Sequence, residues 1–132
     1  MQTLAATYEA HNADDGHENN IVAFAASLSA SHGETLLDGR FRIGSAQKAL
    51  NLFLKYLWCV GDIPEPPHCP FDFQIIQKLP AAVRCNWTSL DSVEVYRALV
   101  AAAKAAAVSR SLAEWELTEY NGPEGRCDCR RR

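Results

Sequence analysis

No lysine or arginine occurs before Arg40, and no aspartate or glutamate occurs between Arg40 and Val60. The charge of this 132-residue chain is therefore sorted along its length, although the net value is only −3. That total is too mild for a DNA mimic and of the wrong sign for a dedicated nucleic-acid binder. The first fifteen residues also lack a long apolar segment. No secretory leader is expected, and the cytoplasm is the predicted compartment. Elsewhere the apolar runs are too short and too interrupted to span a bilayer, so no membrane partner is expected.

Other absences narrow the chemistry. There is no internal repeat and no convincing alternation of apolar and polar residues, save a short piece around Phe41. No G-x-x-x-x-G-K-[ST] spacing is present, so "GRFRIGS" is not a P-loop. There are five cysteines, but no C-x₂₋₄-C pair. With an odd count and no leader, free thiols are expected. Cys59, His68, Cys69 and Cys85 are chemically able to bind zinc, and a zinc domain built from them is one reading. Against it, structural zinc sites usually present two closely spaced ligand pairs. Cys59 or Cys69 could pair with His17, His32 or His68 as a nucleophile, yet no oxyanion loop accompanies them. Glu114, Glu116 and Glu119 form no defensible catalytic pair. No catalytic residue and no cofactor are assigned.

What is present is a helical pattern. Hydrophobic residues make up 48% of the chain and charged residues 22%, values of a folded globular protein. A single all-helical domain over 1–125 and a basic, disordered tail over 126–132 are expected. A first helix is placed at about 1–10. A second follows the polar break "HNADDGHENN", capped by Asn19 or Asn20, with Ile21, Phe24, Ala25 and Leu28 on one face and Gly33 as its stop. "DIPEPPHCP" carries four prolines and must be an extended loop. "FDFQIIQKL" reads as a short helix ended by Pro80. Thr88 and Asp91 offer overlapping caps for a helix through Val95, Tyr96, Leu99, Val100 and Ala103. The alanine-rich run 101–107 could approach another helix, or a second copy of the chain, closely. Ser111 and Glu114 form a capping box for the last helix, and Trp115 reads as its core anchor. The fold class is all-α, five or six helices around a central apolar helix at about 45–60.

That central helix, "SAQKALNLFLKYLWCV", has an unusual distribution. At about 100° per residue, Gln47, Trp58, Asn51, Lys55 and Lys48 fall within one arc of about 100°. Everything else on the helix is apolar or small. Because an unpaired buried lysine costs several kcal/mol, the seam must meet water, an acidic neighbour or a ligand. Arg40 and Arg42 precede Ser45, the expected N-cap. A helix N-terminus flanked by arginines suits an anion. The expected contact surface is thus Arg40, Arg42, Gln47, Lys48, Asn51, Lys55 and Trp58. A non-enzymatic module acting through protein–protein contacts is the primary reading, and a nucleic-acid or phosphate binder using residues 40–55 is the alternative.

Overall fold

The computed structural model describes residues 14–121. The helix expected near 1–10 and the tail 126–132 lie outside the described residues. Among the described residues there are five α-helices and no strand: α1 (Asp14–His32), α2 (Ile43–Cys59), α3 (Phe73–Ile76), α4 (Val93–Ala107) and α5 (Leu112–Asn121). The expected all-α class is thereby confirmed. Short 3₁₀ turns fall at Gly33–Thr35, Leu37–Gly39 and Ala81–Val83.

The helix ends show how local sequence and tertiary contact share the work. α2 closes as expected at Gly61, which takes a φ of 85°. Gly61 N donates to the Trp58 carbonyl and Asp62 N to the Leu57 carbonyl, the paired bonds of a Schellman stop. Its start differs from expectation. The N-cap is Arg42, not Ser45, and no side chain of the helix caps it. Instead Ile43 N donates to Asp91 Oδ1 at 3.3 Å and Gly44 N to the Leu90 carbonyl at 2.8 Å. A distant segment thus supplies the cap, which no local pattern can reveal. Gly44 is required by this approach, since a Cβ there would collide with the Trp87 carbonyl oxygen.

Two further starts shift for similar reasons. α4 begins at Val93 rather than Thr88. Asn86 Oδ1 accepts from Thr88 N and Oγ1 and draws 86–90 into a turn, while Ser92 Oγ caps Val95 N. α1 begins at Asp14, so much of the expected polar break is helical. α3 is a single turn capped by Asp72, whose Oδ1 accepts from Ile75 N. It ends before Pro80. α5 starts as expected, with Glu114 N donating to Ser111 Oγ.

α1 packs along α2, α4 packs against α2 and α5, and α3 rests on α5. One apolar cluster joins them: Ile21, Ala46, Leu50, Leu54, Phe71, Ile76, Leu99, Ala103 and Trp115 are all buried in it. α2 runs through its middle, which makes the placement of its polar seam the central question.

Candidate functional site

Gln47 and Asn51 are fully buried, which corrects the expectation of an outward-facing seam. They belong to a polar network inside the core. Gln47 Nε2 donates to the Phe71 carbonyl at 2.7 Å, and Phe71 N donates to Gln47 Oε1 at 3.1 Å. This pair of bonds clamps the proline-rich loop onto α2. It also fixes the orientation of the Gln47 amide. Asn51 Nδ2 then donates to Gln47 Oε1 at 3.3 Å and to the Tyr96 hydroxyl at 3.4 Å, so Asn51 Oδ1 faces the other way. There it accepts from His17 Nε2 at 2.6 Å. Because an amide oxygen can only accept, His17 carries a proton on Nε2. The Tyr96 hydroxyl, which accepts from Asn51, also shares a hydrogen bond of 2.7 Å with His68 Nδ1. The His17 and His68 rings meet edge to face at 4.6 Å between centroids. All five side chains are buried, with 0–1% exposure.

The network draws on α1, α2, α4 and the 61–72 loop. Sequence spacing singles out Gln47 and Asn51 but places Tyr96 on the apolar face and leaves His17 in the polar break. One signal was present. His17 lies four residues before Ile21 and extends the stripe of Ile21, Ala25 and Leu28 by one turn.

The cations of the expected site are each turned inward or toward a partner. Lys55 Nζ lies 3.0 Å from both carboxylate oxygens of Glu116 on α5, and both side chains are largely buried. The hydrogen-bond geometry is good to Oε1 only, so Oε2 is buried with ionic attraction but no directed bond. Burial pushes the Glu116 carboxyl above its ordinary range. Lys55 opposes this, and the charge of Asp72 adds to it. Lys55 Nζ also lies 5.1 Å from the centre of the Tyr120 ring. Lys48 Nζ sits 4.1 Å from the centre of the Trp87 ring. Trp58 is half-buried.

The arginines form an anion cradle, as their chemistry suggested, but the anion is internal. Arg40 Nη2 is 2.7 Å from Asp91 Oδ2, whose other oxygen caps Ile43 N. Arg42 bonds Asp38 at 2.8 Å and the Thr88 carbonyl at 3.3 Å. A phosphate at this helix end would have to displace Asp91.

Cys59, His68, Cys69 and Cys85 are not gathered as a zinc site. Among the described residues no three His, Cys, Asp or Glu side chains lie together as a metal group. The reason is visible at His68, whose ring is engaged with Tyr96 while the adjacent Cys69 is buried. Burial, reinforced by the nearby Glu116 carboxylate, pushes the Cys69 thiol well above its ordinary value. A thiol so placed stays protonated and is a poor nucleophile. The network joins four segments of the chain, α1, α2, α4 and the 61–72 loop, in one arrangement.

No protein-family model, curated protein or solved structure matches the chain.

Proposed function

We propose that this chain is a non-enzymatic helical binding module, a regulator, inhibitor or accessory of another protein, acting through protein–protein contacts. The observation that supports this reading is that α2, α3 and α5 each carry exposed large side chains. Tyr56 on α2 and Val60 at its C-cap, one turn apart, are 61% and 68% exposed. Phe73 opens α3 at 68% exposure, and Tyr120 of α5 stands beside Lys55 at 50%. Isolated exposed apolar residues are ordinary, but aromatics carried on rigid helices are the common anchors of interfaces. The proposed contacts accordingly move from Gln47 and Asn51, which are buried, to these exposed side chains.

The test is affinity capture from the host with wild-type chain and with Tyr56→Ser/Val60→Ser, each with and without nuclease. A protein captured by the wild type, retained after nuclease and lost from the variant supports the reading. Capture that vanishes with nuclease overturns it in favour of nucleic acid, and capture indifferent to the substitutions overturns the surface.

A further inference from the structure

The binding reading makes no use of the turn between α4 and α5. We propose that the chain exchanges α5 with a second copy of itself: the turn at Val108 opens, α4 and α5 become one continuous helix, and each α5 docks on the other copy's core.

The turn is strained. Val108, at the C-cap of α4, has φ 59° and ψ −106°. This pair of angles lies outside the regions open to an L-residue, and branching at Cβ makes it costlier still. Among the described residues the other positive-φ positions are Gly39, Gly61 and Asp38, types that take such a backbone more readily. Val108 is also 84% exposed, so burial of its side chain does little to offset the strain. Ser109 and Arg110 beside it are exposed as well.

The flanking sequence favours an unbroken helix. From Val93 to Asn121 there is no glycine and no proline, and alanine, the best helix former, dominates the stretch before the turn. A straight helix over these residues would be about 43 Å long. It would pair the carbonyls that end α4 with the N–H groups that begin α5, which a break leaves to other partners. Two local bonds favour closure: Arg110 N donates to the Ala107 carbonyl, and Glu114 N to Ser111 Oγ, both at 3.1 Å. Opposed terms of this kind are what a two-state hinge requires.

A second copy carries the same seat for α5. Leu112, Ala113 and Trp115 are buried, Glu116 meets Lys55 of α2 at 3.0 Å, and Glu119 lies 3.8 Å from Lys78, just beyond α3. An exchanged α5 keeps these contacts. The balance between closed monomer and exchanged dimer then turns on the hinge and on protein concentration. A short hinge under strain tilts it toward exchange.

The test refolds the full chain from urea over a concentration series and sizes the products by light scattering. Wild type should form a dimer as concentration rises. Val108→Gly, which relieves the closed turn and weakens the straight helix, should raise the dimer's dissociation constant by about tenfold for each of two turns, or about a hundredfold in all. Lys55→Glu and Glu116→Lys then separate exchange from side-by-side pairing. Each alone sets like charges at the α2–α5 contact, in the closed chain and in its own exchanged dimer alike. Refolded together, one of them isotope-labelled, they should give a one-to-one dimer by native mass spectrometry, because each α5 then meets an opposite charge on the other chain. If neither variant folds alone, helical signal regained only on mixing is the expected result. A wild type that stays monomeric throughout, a dissociation constant unmoved by Val108→Gly, or a wild-type dimer with no one-to-one product from the charge pair overturns the exchange.

Discussion

Two polar clusters occupy the same seam of α2, one turn apart, and they are built on opposite principles. At Gln47 and Asn51 the groups on α2 are uncharged amides, and hydrogen bonds link them to the Phe71 backbone, to His17 and, through Tyr96, to His68. At Lys55 the groups are charged, and Glu116 keeps one buried oxygen without a directed hydrogen bond. A satisfied neutral network has little desolvation to overcome and specifies a single arrangement of its segments. An ion pair in the interior gains attraction but loses the hydration of two charges, so it is replaceable. The first cluster should thus behave as a structural necessity and the second as one solution among several.

The largest effect is expected at the neutral cluster. Asn51→Leu keeps the volume but removes His17's acceptor and the donor to Gln47 and Tyr96. Three buried groups each lose a hydrogen bond, at about 1–2 kcal/mol apiece, for a total of roughly 3–6 kcal/mol. The urea midpoint should drop by that equivalent, with an unchanged slope. A loss under about 1 kcal/mol would mean that the network is slack, and the comparison would fail.

The difference between the clusters also marks the limit of what a sequence discloses. The arc from Gln47 to Lys48 is legible from spacing alone, and so are the all-helical class, the Gly61 stop and the Ser111 cap. Which way the arc faces is not. Polar residues on one side of a helix usually mark water. Here the groups that allow burial, Phe71, Tyr96, His17 and Glu116, come from 24 to 61 positions away in the chain. Asp91 is the sharpest case. Sequence chemistry located an anion cradle at Arg40 and the head of α2, but nothing local said that residue 91 fills it. The inward turn of His17 needed the further fact that α1 starts five or six residues before the expected caps.

The intermediate effect belongs to the ion pair. Lys55→Met alone leaves a buried carboxyl without its counter-charge and should cost about 2–3 kcal/mol at neutral pH, somewhat below the general range because Glu116 can escape by taking up a proton. Adding Glu116→Leu should restore stability to within about 1 kcal/mol of the wild type, or exceed it. A double-mutant cycle by urea denaturation gives the coupling directly. The matching pair in the neutral cluster, Asn51→Leu with Tyr96→Phe, should show no such recovery, because the bonds to His17 and His68 are still lost. Recovery in both cycles would erase the distinction between the clusters.

The smallest effect is a difference in pH slope, and its sign separates the clusters most cleanly. Burial raises the Glu116 carboxyl, with Lys55 only opposing the rise. A group held above its unfolded value contributes stability that is fully present below the unfolded value, about 4.3 for glutamate, and is lost as pH rises through the folded one. Relative to Glu116→Gln, the wild type should therefore gain stability as pH falls from 7 toward 5, by under about 1 kcal/mol. Urea midpoints at pH 7, 6 and 5 for the wild type and Glu116→Gln measure this slope. Should the wild type lose ground to the glutamine variant on acidification, Lys55 holds Glu116 as a firm carboxylate. The ion pair would then be no more replaceable in the core than the amides one turn before it.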